Sequence, residues 1–378
     1  MHVLVIRNAF TYDFGGAERL AVHIARDLNL SKIQTTVVSR QPRVLEYAKT
    51  QSVTAYRGWW WSHQDWSGKW ILGVPLYVLW QLLLTVWYIQ LILRLKPDAV
   101  HALSKDDFIA ATLAGRLLGK PVVWTDCADL KHVLAKHRVW YKNPVGKMVY
   151  AVSKLARAVT LVSNSEKELI QASLGGPVPA NYVVVHIAGK DEQVTPFARQ
   201  RSDEKAVIFC ATSRLVIAKG IGELIEAFVR LSKELPGVRL WLVGDGPDEA
   251  RFQKLAGNNK QIWFIGHSET PLVYAAAADV FVHPTHHEGF SLSLAEAAML
   301  GKPMIATNVG GNPELVNNTN GILFPVHDVA ALYQAMYRLA EDSALRARLG
   351  KQARHDYTTQ FDFARIIKDR IIPLYENA

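Results

Sequence analysis

The sequence predicts an α/β protein: two doubly wound, Rossmann-like domains in tandem, facing each other across a cleft between their strand C-termini. Three observations predict it. Short apolar runs alternate with helix-length segments in two successive series, and right-handed crossovers turn such alternation into parallel sheets. A polar stretch carrying Pro196 separates the two series, as a linker does. The 378 residues also exceed the ~250–300 at which a single core stops growing.

The first series opens on MHVLVIR, which reads as a buried strand over 2–6. Further strands are expected at 34–39, 99–102, 122–125, 158–162 and 182–186, with helices at 17–29, 107–118, 145–155 and 165–173 between them. Residues 1–188 form the first domain, 189–205 the linker and 206–362 the second domain. In the second series, strands are expected at 206–211, 239–243, 262–265, 280–283, 304–307 and 321–324. Helices at 222–235, 249–256, 272–277 and 292–300 alternate with them, and helices at 329–360 and 363–375 close the chain.

Composition narrows the class. With 49% hydrophobic and 20% charged residues the chain is globular rather than disordered. Cys127 and Cys210 stand alone, without the spacing of a structural zinc site. No basic stretch precedes the first apolar run, so a signal peptide is not expected and a cytoplasmic location is. Charge is uneven: residues 1–190 carry 23 Lys and Arg against 12 Asp and Glu, and residues 191–378 carry 20 against 22. A basic half steers anions. The basic residues come without an aromatic RNA-binding motif, finger spacing or recognition-helix cluster, so nucleic acid is not an expected partner. An anionic membrane or a phosphate-bearing acceptor is the better fit.

One segment raises a membrane question. Trp70 to Leu93 is 24 residues without a formal charge, long enough to span. Pro75, Gln81, Thr85 and Gln90 weaken that reading, and Gln81, Thr85 and Tyr88 fall on one helical face. Flanking strands of a single sheet would also have to stay on one side of a membrane. Residues 59–87 hold seven of the eleven Trp, with Lys69 among them, a composition suited to the headgroup boundary. A buried helix with an aromatic loop explains the same residues.

The second series carries the chemistry. In His283-Pro-Thr-His-His-Glu-Gly-Phe-Ser-Leu-Ser-Leu-Ala-Glu296 a strand ends at His283 and a helix begins near Ser291 or Leu292. Backbone amides of Phe290, Ser291 and Leu292 would then offer an anion site facing the cleft. Glu288 can accept from sugar hydroxyls, and Glu296, a turn into the helix, from ribose hydroxyls. A capped surface helix with two ordinary glutamates explains them as well. Upstream, Ser213-Arg-Leu-Val-Ile-Ala-Lys-Gly220 places Arg214 and Lys219 after a strand, where both suit a diphosphate. Gly244 and Gly246 end another strand and allow close backbone approach to a ligand. Gly266 would border the base, and Gly310-Gly-Asn-Pro-Glu314 is a further glycine turn. Asp106 and Asp107 precede a helix and read as N-capping residues rather than metal ligands.

In this order, Arg-x4-Lys-Gly, Gly-x-Gly-Pro, Glu-x7-Glu and Gly-Gly-x-Pro-Glu resemble the retaining glycosyltransferase family 4 with GT-B fold. Gly15-Gly-Ala-Glu-Arg19 looks like that family's first strand–helix turn, and Lys96-Pro-Asp-Ala-Val-His101 like its third-strand segment. The resemblance implies that a C-terminal helix, 363–378, crosses back to complete the first domain, which binds the acceptor. It implies that Arg214 and Lys219 bind the donor diphosphate, that Glu288 holds the donor sugar and Glu296 the ribose. Phe290, Ser291 and Leu292 would offer amides, Gly15 and Gly16 would border the phosphates, and His101 would lie near the transferred sugar. No metal or other cofactor is implied.

Departures fall on the acceptor side. Leu103 stands where the family often has a second His, Asp126-Cys-Ala-Asp129 where it has His-Asp, and His186-Ile-Ala-Gly-Lys-Asp191 where it has Asn-Gly-Val-Asp. Asp126 or Asp129 would position the acceptor hydroxyl or cap its loop.

The expected function is a retaining hexosyltransferase, peripheral on the inner membrane face, using a nucleotide diphosphate sugar and a lipid-linked or cell-envelope glycan acceptor. A UDP-sugar is preferred to a GDP-sugar. The alternatives are a soluble transferase with a small acceptor such as a sugar phosphate, or a non-catalytic nucleotide-sugar-binding scaffold at a membrane.

Overall fold

Both series fold into all-parallel sheets. The computed structural model describes residues 1–8, 16–59, 70–127, 130–134, 143–187, 194–198 and 205–376. They divide into one unit of Met1–His186 with Ala364–Ala378 and another of Ile187–Phe363. Gly15, Asp129, Trp60, Trp61 and most of the 189–205 stretch lie outside the described residues.

In the first unit, β1 (His2–Ile6), β2 (Gln34–Ser39), β3 (Thr54–Arg57), β4 (Ala99–Ala102), β5 (Val122–Thr125), β6 (Ala158–Leu161) and β7 (Tyr182–Val184) form one sheet. Their order is β3-β2-β1-β4-β5-β6-β7, with Val5 of β1 between Val37 and His101. Strands β1, β4, β5 and β6 are almost wholly buried, which is why they read as continuous apolar runs. The sequence reading lacked β3 and the Pro42–Thr50 helix before it. β3 is a four-residue edge strand with no buried residue, so it carries no apolar run to be recognised.

The Trp70–Leu95 helix is long and apolar enough to cross a membrane by length and composition. It is nevertheless a crossover between β3 and β4 of the same sheet. Tyr77, Trp80, Leu84, Tyr88, Leu91 and Ile92 on one face are buried in the core around the stacked Phe108–Trp124 pair. The polar residues of that face find partners there, as buried polar groups must. Gln81 donates to the Asp106 carbonyl and accepts from the Ala110 amide, and the Tyr88 hydroxyl donates to Asp107 at 2.6 Å. The opposite face exposes Val78, Leu79, Leu82, Leu83, Val86 and Leu93.

Asp106 and Asp107 correct the capping expectation. The N-cap of the Lys105–Leu117 helix is Ser104, whose hydroxyl accepts from the Asp106 amide. Asp107 is fully buried in the first turn, accepting from Tyr88 and from the Asn8 amide. Burial pushes its carboxyl up to about 7; Asp106 adds to the shift, while the Tyr88 and Asn8 hydrogen bonds and Arg7 oppose it.

In the second unit, β8 (Val207–Thr212), β9 (Val238–Val243), β10 (Ile262–Gly266), β11 (Val280–His283), β12 (Met304–Thr307) and β13 (Gly321–Phe324) form a six-stranded sheet. The order is β10-β9-β8-β11-β12-β13. The expected 329–360 helix is two helices, Val329–Glu341 and Ser343–Asp356. Asp342 separates them because its carboxylate caps the second, accepting from the Leu345 amide.

Candidate active site

Strand order reverses at β8 and β11 in the second unit, and ligands of open parallel sheets bind beyond the strand C-termini at such a reversal. Lys219 follows β8 and Glu288 follows β11. The Lys219 ammonium lies 2.9 Å from Glu288 Oε2, and His283, at the end of β11, places Nε2 3.0 Å from the same oxygen.

Two glycines hold these segments together. At Gly220, φ is +66°, and a Cβ would stand 1.9 Å from the Pro284 carbonyl oxygen. At Gly310, φ is +54°, and a Cβ would stand 1.7 Å from the Glu288 carbonyl oxygen. Only glycine permits both the left-handed backbone and the approach. The loops after β8 and β12 are thereby packed against the loop carrying Glu288.

Electrostatics define the protonation states. Burial would raise the Glu288 carboxyl, but the His283 hydrogen bond and the Lys219 charge overcome it and hold it down at about 2. His283 is 4% exposed; burial lowers its pKa against the pull of Glu288. A neutral His283 donating Nε2–H to an ionised Glu288 satisfies both. Ser291 and Ser293 complete the cluster: the hydroxyls stand 3.1 Å apart, Ser291 lies 3.2 Å from His283 Nε2 and Ser293 3.5 Å from Nδ1. Ser291 is also the N-cap of the Leu292–Met299 helix, accepting from the Leu294 amide. The arrangement presents an ionised carboxylate, an ammonium and a capped helix N-terminus at one strand-end location.

The other expected residues are placed as follows. Arg214 is exposed on the loop after β8, and Glu296 is half-buried in the Leu292–Met299 helix. Phe290 is buried against Phe361, and Leu292 opens the helix. Gly244 and Gly266 meet, the Gly244 amide donating to the Gly266 carbonyl at 2.8 Å. Gly16 opens the Gly16–Leu30 helix of the first unit. Asp126 is a cap: both carboxylate oxygens accept from the Leu130 amide.

His101 corrects the expectation of a catalytic histidine. It is fully buried in β4, Nδ1 bonded to the Tyr375 hydroxyl and Nε2 to Thr125 Oγ1, each at 2.6 Å. Burial holds its pKa down at about 3. A neutral ring with both nitrogens engaged fastens the C-terminal segment onto the first sheet and has no group left for a substrate.

Sequence reasoning missed His283, although it heads the motif that carries Glu288. It also missed the buried Arg7–Glu18 pair, 2.7 Å, in which Arg7 additionally donates to the Leu103 carbonyl. That pair ties β1, β4 and the first turn of the Gly16–Leu30 helix at the strand reversal of the first sheet.

Comparison with known proteins gives two family matches. The profile described as Glycosyltransferase Family 4 covers residues 14–187, and that described as Glycosyl transferases group 1 covers residues 193–356. A Mycobacterium tuberculosis protein named glycogen synthase is 30% identical over 283 residues, 71% of this chain and 66% of the relative. A Rhizobium meliloti lipopolysaccharide core biosynthesis glycosyltransferase, LpsE, is 31% identical over 160 residues, 41% of this chain and 46% of the relative. The matched stretch thus spans about two thirds or less of these relatives' own length. Among solved structures, Anabaena Alr3699/HepE, crystallised with UDP, superposes with a TM-score of 0.77 at 19% identity, covering 99% of each chain. The architecture is the GT-B fold.

Proposed function

From membership of glycosyltransferase family 4, to which this chain belongs, we propose that it is a retaining, metal-independent hexosyltransferase. It takes the sugar from a nucleotide diphosphate donor and passes it to a lipid-linked or cell-envelope glycan at a membrane surface. The observation that carries the reading is the Lys219–Glu288–His283 cluster at the strand reversal. Its charges match the two ends of such a donor: an ionised carboxylate for sugar hydroxyls, and an ammonium for the diphosphate.

Lys219 then exchanges its contact with Glu288 for diphosphate oxygens and, with Arg214, stabilises the departing charge. Amides at Phe290, Ser291 and Leu292 assist at the helix N-terminus, and Glu296 takes the ribose. The bond from the anomeric carbon to the diphosphate oxygen breaks while the acceptor oxygen bonds to the same face of that carbon. The acceptor proton goes to the leaving phosphate. Positioning and electrostatics supply the catalysis. UDP is the preferred nucleotide, supported by the UDP bound to the Anabaena neighbour.

The residues 1–188 domain takes the acceptor. Membrane placement is supported by the exposed apolar face from Val78 to Leu93 and by the net positive charge of residues 1–190, which act together at an anionic surface. The test is transfer from UDP-hexoses to lipid-linked acceptors, with the product anomer read by NMR, beside co-sedimentation with anionic vesicles. An α product from an α donor and vesicle binding that falls with salt and in the L79S/L82S/L83S/V86S variant are expected. An inverted anomer overturns retention, and binding unaffected by the four substitutions overturns the membrane face.

A further inference from the structure

Glu223, His286 and His327 converge from three separate segments of the second unit. Glu223 lies in the first turn of the Ile221–Glu234 helix, His286 in the loop after β11, and His327 beyond β13 at a left-handed φ of +62°. Glu223 Oε1 accepts from His286 Nε2 and from His327 Nδ1, both at 2.8 Å, and the two rings stand 4.2 Å apart. One ligand-capable atom from each residue lies within 4.8 Å of the other two.

We propose that this triad binds a divalent late first-row transition ion of the zinc class, at a site separate from the sugar-transfer chemistry. Two imidazole nitrogens and one carboxylate oxygen suit such an ion, whereas magnesium and calcium prefer all-oxygen sets. Ligands at about 2.0–2.2 Å in a tetrahedron stand roughly 3.3–3.5 Å apart, so the two 2.8 Å contacts to Glu223 must open by about half an ångström, while the two imidazole nitrogens already lie within 4.8 Å of one another. His327, 63% exposed, is free to make that adjustment and leaves room for water to complete the coordination. His286 is 12% exposed, and its amide donates to the Ala218 carbonyl at 2.9 Å, which fixes its side of the site. Non-glycine residues in the left-handed region are uncommon and gather at functional positions; at His327 that backbone carries Nδ1 to Glu223. His286 precedes Glu288 by two residues and Glu223 follows Lys219 by four, so a bound ion ties together the two segments that carry the Lys219–Glu288 pair.

The test uses the untagged full chain and Zn2+ alone, in competition with a chromogenic chelator, with Co2+ absorption as a spectroscopic readout. One equivalent of Zn2+ per chain is expected, with affinity falling about tenfold or more in His327→Asn and in Glu223→Gln. The visible Co2+ bands of the wild type should weaken in both. Asn tolerates the left-handed backbone at 327, and circular-dichroism melts verify that each variant is folded. No Zn2+ uptake at micromolar concentrations, or uptake that both folded variants keep undiminished, overturns the proposal and leaves the triad a hydrogen-bonded cluster.

Discussion

Lys219 and Glu288, 69 positions apart in the chain, stand 2.9 Å from one another. Glu288 is held ionised by two partners, so losing one leaves a structured site, while losing the ammonium removes the charge nearest the expected diphosphate. Lys219→Ala should lower kcat by about 10²–10³, in the range of lost transition-state donors, with a smaller change in donor affinity. Steady-state kinetics beside nucleotide titration checks this. Equal losses in binding and turnover would assign Lys219 to uniform binding instead.

The pH response of this pair has a definite sign. Glu288 titrates at about 2 when folded against an ordinary 4.5, so its stabilising contribution is present above the ordinary value and lost as pH falls toward 2. Glu288→Gln should melt below wild type at pH 7, and the gap should narrow on acidification to pH 3. A gap that widens toward acid contradicts the assignment.

Asp107 has the opposite sign. Its folded pKa of about 7 lies above the ordinary 3.8 because burial disfavours the charge. The folded state holds the extra proton, so this contribution to stability is fully present below the ordinary 3.8, falls as pH rises from there to about 7, and levels off above it. Melting temperatures measured from pH 5 to pH 8 should decline more in the wild type than in Asp107→Asn, with the difference accumulating below about pH 7. Parallel declines would place the titration elsewhere.

His101 and Tyr375 divide structure from chemistry. Tyr375→Phe removes one buried hydrogen bond and should cost about 1 kcal/mol; His101→Ala removes two and leaves a cavity, costing about 2–4 kcal/mol. Turnover per folded molecule should hardly change in either. A fall of about a hundredfold, the scale of a lost general acid–base group, with stability intact would return His101 to the chemistry.

What the sequence made legible follows from how local each signal is. β1, β4, β11 and β12 are fully or nearly buried, so each is visible as an apolar run within its own few residues. The Ser291 cap and the Leu292–Met299 helix follow from adjacent residues as well. Lys219 and Glu288 were recognisable in separate motifs, but their contact depends on β8 lying beside β11. Relationships created only by the sheet were not legible: His101 with Tyr375, Arg7 with Glu18, and Glu223 with His286 and His327. Asp106 and Asp107 show how local reading errs. An acidic pair before a helix suggests caps, yet Ser104 takes that role, and the Trp70–Leu95 helix packs Tyr88 against Asp107.

The second unit is expected to bind a nucleotide sugar through the Lys219–Glu288 cluster and Glu296. A thermal shift with UDP, GDP, ADP and their sugar conjugates, wild type beside Glu296→Ala, tests it most directly. A ligand at about 100 times its Kd stabilises the native state by ~2.7 kcal/mol, a rise of several degrees. A UDP-selective rise that is lost in the folded variant is the predicted result. No shift with any nucleotide, in wild-type protein that melts cooperatively, would contradict the account.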